Sequence, residues 1–140
     1  MEIIFKDGHK IEFRKRGEIW LPKNVIWEET DLGGSLDALR ELKAKIADWF
    51  EDNAPAEIFD RFKARLPLSE EIDLLAPKDK LAYKEGSTDQ VVDYFLGNEE
   101  NSSPIICLVA NSYVNYGWCR RSTGFGWSCK GAVRLCLEEK

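Results

Sequence analysis

EIIFKDGHKIEF (residues 2–13) decides the first layer of the fold. Ile3 and Phe5 alternate with polar neighbours, Asp7-Gly8 supplies a turn that tolerates positive φ, and Ile11 and Phe13 resume the alternation. This is the pattern of a β-hairpin. A second turn at Arg16-Gly17 leads to Ile19, Trp20 and Leu21, a third strand that Pro22 ends because it has no N–H to donate. A short apolar segment, Val25-Ile26-Trp27, follows.

Downstream the hydrophobic period changes from two to between three and four. After Gly33-Gly34, Ser35 can cap a helix in which Leu36, Leu39, Leu42, Ile46, Trp49 and Phe50 share one face. Asp37, Arg40, Glu41, Lys43, Lys45 and Asp48 fill the other. A second helix is expected from Pro55 to near Leu66-Pro67, carrying Ile58, Phe59 and Phe62 inward. Ser69 can cap a short helix through Leu75, and Ser87-Thr88-Asp89-Gln90 fits a capping box before Val91, Val92, Tyr94 and Phe95. The run from Gly97 to Ser103 reads as a surface loop. Ile105 to Val109, a piece near Tyr113 to Trp118, and Ala132 to Leu137 read as strands. Strands, then helices, then strands predict an α+β fold with a mostly antiparallel sheet formed from both chain ends and two main helices inserted between.

The 140 residues suffice for one core, so 1–140 is expected to be a single domain. Twenty Lys and Arg against twenty-five Asp and Glu leave a net charge of -5, which disfavours a protein that coats duplex nucleic acid by neutralising phosphates. Residues 1–7 lack the basic start and long apolar run of a signal peptide, and no later stretch approaches membrane-spanning length. A cytoplasmic protein without membrane contact is expected. There Cys107, Cys119, Cys129 and Cys136 stay thiols; in an oxidising compartment they could pair in three ways.

Few residues form a recognisable catalytic or metal-binding pattern. The only histidine, His9, follows the first turn, where an exposed ring is expected, and no C-x-x-C pair or helical His pair is present. The thiols read mostly as small core hydrophobes, with Cys119 and Cys129 the two expected to be exposed or reactive. Phosphate-loop, G-x-S-x-G and H-E-x-x-H motifs are missing, and the acid pairs Glu28-Glu29, Glu70-Glu71 and Glu138-Glu139 read as solvated faces. A non-enzymatic protein without cofactor or metal is therefore the expectation, with a cysteine-dependent activity as the weaker class.

The segment 113–130 is the most unusual, interleaving Tyr113, Tyr116, Trp118, Phe125 and Trp127 with Arg120, Arg121 and Lys130. Aromatic rings beside guanidinium groups suit protein contacts, sugar stacking or single-stranded nucleic acid; alternate aromatics can equally point into the core. Trp118, Arg120, Arg121, Phe125 and Trp127 are the candidate partner-binding residues, with a protein the first expected partner and carbohydrate the second.

Val25-Ile26-Trp27-Glu28 ahead of a Leu-rich helix, then Trp49-Phe50, Leu66-Pro67-Leu68-Ser69-Glu70-Glu71, Tyr94-Phe95 and Gly131-Ala132-Val133-Arg134-Leu135, occur in an order with a known counterpart. The chain resembles a group of uncharacterised bacterial and phage domains similar to C-type lectin-like folds and to non-catalytic relatives of the formylglycine-generating enzyme. The resemblance implies an early strand pair, two helices and a terminal strand returning to the first sheet. Two departures stand out: the irregular region before the terminal strand is compressed, and the calcium-coordinating acidic and Asn cluster of many lectins is not recognisable. Nor do Cys129 and Cys136 fit the thiol pair of the oxidising enzyme. The expected function is a bacterial or phage protein-binding module that uses its C-terminal aromatic and basic hairpin. The alternative is a phage-encoded inhibitor of a host defence or nucleic-acid enzyme, acting through acidic surface that includes Glu99 and Glu100.

Overall fold

The computed structural model describes residues 1–22, 25–31, 36–74, 94–99, 107–111, 119–123 and 130–140. The expected hairpin forms from β1 (Glu2–Ile4) and β2 (Lys10–Arg16), with Ile3 opposite Ile11. Gly8 takes the turn at φ +99°, where a side chain would be strained. β3 (Ile19–Pro22) pairs antiparallel with β2, β4 spans Trp27–Asp31, and α1 spans Leu36–Asn53. On α1 the expected stripe turns inward: Leu39, Leu42, Ile46 and Phe50 are buried, while Asp37, Arg40, Glu41 and Asp48 are exposed. At about 1.5–3 kcal/mol per buried side chain, that face outweighs the weak intrinsic helix propensity of any single residue.

The second helix is shorter than expected. α2 covers Ala56–Arg61, and Phe62 leaves helical geometry at φ -125°, ψ 153° to begin β5 (Phe62–Arg65). The cause is tertiary: Phe62, Lys63, Ala64 and Arg65 pair with Glu139, Glu138, Leu137 and Cys136, and the Phe62 ring is buried there. A 3₁₀ turn, Ser69–Leu74, stands in place of the expected short helix. Tyr94 and Phe95, expected to close a helix, form β6 instead. Both are buried, as suits a strand flanked on two sides, and Gly97 is buried too, so the expected surface loop begins only after it. Ser35, the capping box at 87–90 and the strand-like piece at 113–118 lie outside the described residues.

Among the described residues two five-stranded sheets result. β7 is Cys107–Asn111, β8 Cys119–Thr123, β9 Lys130–Val133 and β10 Cys136–Glu139. The first sheet runs β1-β2-β3-β10-β5, antiparallel throughout, so that both chain ends meet in it as the α+β reading requires. The second runs β4-β9-β6-β7-β8 with one parallel pair, β6 on β9. One apolar cluster takes residues from both sheets and from α1, including Phe13, Ile46, Phe62, Phe95, Val133 and Leu137.

The stretch read as one strand, Ala132 to Leu137, is therefore two strands in different sheets, separated by Arg134-Leu135. Arg134 is 1% exposed. Its Nη2 and Nε donate to the Pro22 carbonyl at 2.9 and 3.2 Å, its Nη1 donates to the Tyr94 hydroxyl at 3.3 Å, and its guanidinium lies 5.1 Å from the centre of the Tyr94 ring. One side chain thus ties the end of β3 to β6 where the chain changes sheets. Truncation of a buried, hydrogen-bonded cation leaves its acceptors unsatisfied and a void behind. Arg134→Ala is expected to lower unfolding free energy by about 3–5 kcal/mol and Tyr94→Phe by about 1–2 kcal/mol, read from urea denaturation midpoints at constant slope.

Candidate functional site

Within the candidate segment, Cys119–Thr123 forms β8, paired antiparallel with β7 so that Arg120 lies opposite Ala110 and Arg121 opposite Val109. Consecutive strand residues occupy opposite faces of a sheet. The two arginines, grouped in sequence as one basic contact, are therefore divided between two faces. Trp118, Phe125 and Trp127 lie outside the described residues. The ladder also separates two cysteines: Cys107 is opposite Thr123 and Cys119 opposite Asn111, the two ends of the β7–β8 pair. Four residues of strand, about 13 Å, exceed the Cα separation of a disulfide.

β8 passes beside the 3₁₀ turn, and the side chains around that turn form a set that sequence reading missed. Arg65 on β5 donates two hydrogen bonds to Glu71 at 2.8 and 2.7 Å and one to Glu138 at 2.9 Å. The Leu68 N–H donates to the same Glu71 carboxylate at 2.8 Å, and Asn98 donates to Glu70 at 2.8 Å. The turn is clamped to the first sheet at one end and to the segment after β6 at the other. Glu71 and Glu138, expected on solvated faces, instead converge on one guanidinium. The Arg65 hydrogen bond holds the Glu138 carboxyl below its ordinary range, outweighing the opposite effect of burial. Beside this clamp a cavity of about 600 Å³ opens between Lys15, Glu18 and Ile19 on one side and Glu71, Leu74 and Glu139 on the other. Much of its charge is matched internally: Glu139 accepts from Arg61 at 3.2 Å and Glu138 also lies 3.5 Å from Lys63.

Glu99, which the alternative reading offers as acidic surface, is held by Arg40 through two bonds of 3.2 Å and by Lys43 at 3.3 Å. Those cations on α1 lower its pKa, the Arg40 hydrogen bond most of all. Glu100 lies outside the described residues. His9 is partly exposed and bonded at 2.8 Å through Nδ1 to Asp7, whose carboxylate also accepts from the Trp49 indole at 2.7 Å. Burial would raise the Asp7 pKa, but its bonds from the His9 amide, the His9 ring and Trp49 outweigh that and keep it low. The turn is thereby pinned to α1. Cys136 is fully buried and burial pushes its thiol up to about 12, far from a nucleophilic thiolate.

Among the described residues no three His, Cys, Asp or Glu side chains converge as metal ligands, and no helix is long and apolar enough to cross a membrane. The chain matches no family model, no curated protein and no solved structure.

Two outcomes follow from these contacts. Because the folded pKa of Glu138 is depressed, its contribution to stability is present above the ordinary carboxylate pKa of about 4.3 and is lost as pH falls through the lowered value. The stability difference between wild type and Arg65→Met should therefore shrink between about pH 5 and pH 3, measured by urea titration at each pH. Cys136 should resist iodoacetamide at neutral pH in the folded chain and react at the ordinary thiol rate in denaturant, read by peptide mass spectrometry.

Proposed function

We propose that the chain is a non-enzymatic protein-binding module of C-type lectin-like architecture that meets its partner through β8 and the segments flanking it. The observation that carries this reading is the position of β8. It is the terminal strand of the second sheet among the described residues, joined to the rest through β7, and it bears Arg120 and Arg121 at successive positions. Arginine at the rim of a rigid sheet can supply charge, planar hydrogen bonding and stacking to a partner surface. The architecture lends support as well: β10 returns beside β3, so the two chain ends share a sheet and the helices lie between them in sequence.

The division of the arginines between faces makes the reading specific. A partner that packs on one face uses one of them, with Trp118, Phe125 or Trp127 as apolar anchor. The partner should be captured on immobilised wild-type chain, identified by mass spectrometry and titrated by calorimetry against Arg120→Ala and Arg121→Ala. One variant should raise Kd by about 30-fold, equivalent to about 2 kcal/mol, and the other far less. An unchanged Kd for the double variant, with thermal midpoint preserved, rejects β8 as the contact.

A further inference from the structure

The cavity beside the Arg65 clamp is bipolar once its internal ion pairs are set aside. Its charged lining consists of Glu18, Glu71, Glu138 and Glu139 together with Lys15 and Arg65. Arg65 matches Glu71 and Glu138, Lys63 adds to Glu138, and Arg61 matches Glu139. Lys15 and Glu18 are left over. Among the described residues neither has an ion-pair partner; the Lys15 ammonium lies 5.9 Å from the centre of the Trp20 ring. Lys15 stands near the end of β2, and Glu18 in the two-residue turn that follows, whose Gly17 takes φ +60°. That glycine also shapes the wall. A Cβ there would stand 3.3 Å from both terminal carbons of Leu74, so its absence lets the Leu74 side chain lie across the turn. Leu74 is 37% exposed, and Ile19 lines the cavity beside it.

We propose that this cavity binds a small aliphatic zwitterion of the amino-acid type, with its carboxylate at Lys15, its ammonium at Glu18 and its side chain against Leu74 and Ile19. Charge decides the class. An anion that lacks an ammonium meets Lys15 but leaves Glu18 unanswered in a lining already rich in carboxylates. A cation that lacks a carboxylate meets Glu18 and is repelled by Lys15 and Arg65. A ligand of both signs gives each unmatched group its opposite and adds no net charge. Covering the exposed part of Leu74 removes apolar surface from water, which favours an aliphatic side chain over a polar one. About 600 Å³ falls within the range of small-molecule sites, about 300–1,000 Å³, and accommodates one residue or a dipeptide. One wall is fixed in advance, because Arg65 holds Glu71 through bonds of 2.8 and 2.7 Å and the Leu68 N–H holds the same carboxylate, so binding orders little there. No residue of β8 lines this cavity, and the site is independent of the partner contact proposed above.

The test is two-dimensional NMR of the isotope-labelled full chain, titrated with L-leucine and with leucyl-leucine up to about 20 mM. The amides of Gly17, Glu18, Ile19 and Leu74 should shift and saturate with at least one of the two. Saturation by leucine alone identifies a single-residue ligand and by the dipeptide alone a peptide; either supports the proposal. The C-terminal amide of the bound probe, which lacks the carboxylate, and its N-acetyl form, which lacks the ammonium, should each bind at least about tenfold more weakly. Lys15→Met should weaken the parent probe by about tenfold without weakening the amide, and Glu18→Gln should weaken the parent by about tenfold without weakening the N-acetyl form. Both side chains are exposed, so the thermal midpoint of each variant should match wild type. Absence of a saturable shift with both probes overturns the proposal. So does an amide or an N-acetyl form that binds as tightly as its parent, which marks a site for one sign of charge, or an affinity indifferent to Glu18→Gln.

Discussion

The structure depends on how one buried cation joins two sheets. The chain leaves the second sheet at Val133 and enters the first at Cys136, and between them the Arg134 guanidinium binds the Pro22 carbonyl and the Tyr94 hydroxyl. Pro22 ends the third strand and Tyr94 begins the strand beside β9. A leucine here would fill similar space, yet it would leave a carbonyl and a hydroxyl without this donor. The guanidinium also fixes an angle: its planar fork donates two hydrogen bonds to one carbonyl and lies over the Tyr94 ring, which restrains the direction in which β10 departs. With β10 so directed, Leu137 reaches Trp20 on one side and Ala64 on the other, and the first sheet closes.

The parts of this fold legible in sequence are those stabilised by near neighbours. The hairpin turn needs a glycine at positive φ, and Asp7-Gly8 supplies it within its own sequence. α1 shows its buried face through spacing alone. Phe62 to Arg65 and Tyr94-Phe95 are different: each is too short to show a period, and each becomes a strand because a partner distant in the chain offers a ladder. Arg134 did leave a signal. A lone charge set between Gly131-Ala132-Val133 and Leu135-Cys136-Leu137 marks a cation that must be buried and bonded. For the candidate site, the basic pair at 120–121 was legible, but its division between two faces was not, since that follows from strand rather than turn geometry.

Charge shows the same contrast between count and arrangement. A net charge of -5 suggests free acidic surface. Yet Glu71 and Glu138 converge on Arg65, Glu99 on Arg40 and Lys43, and Glu139 on Arg61. These carboxylates fasten the 3₁₀ turn, the segment after β6 and the last strand to their neighbours. Exposed pairs of this kind contribute little stability singly. The Arg65 cluster is partly buried and shares one guanidinium between two carboxylates, so it acts as a joint between elements more than as surface charge.

The placement of α1 explains which parts of the sheets are left for association. Among the described residues each sheet has two terminal strands: β1 and β5 in the first, β4 and β8 in the second. α1 lies against β5, and its Trp49 and Lys45 meet Trp27 on β4, the indoles edge to face at 6.0 Å and the ammonium 4.9 Å from the Trp27 ring. One helix therefore engages a terminal strand of each sheet, and it can do so because the chain passes from β4 into α1 and, through α2, into β5. The remaining terminal strands, β1 and β8, come from distant parts of the sequence and carry different chemistry: an isoleucine between opposite charges on one, a pair of arginines on the other. An exposed isoleucine and a pair of arginines favour different partners, apolar surface for the first and acidic surface for the second.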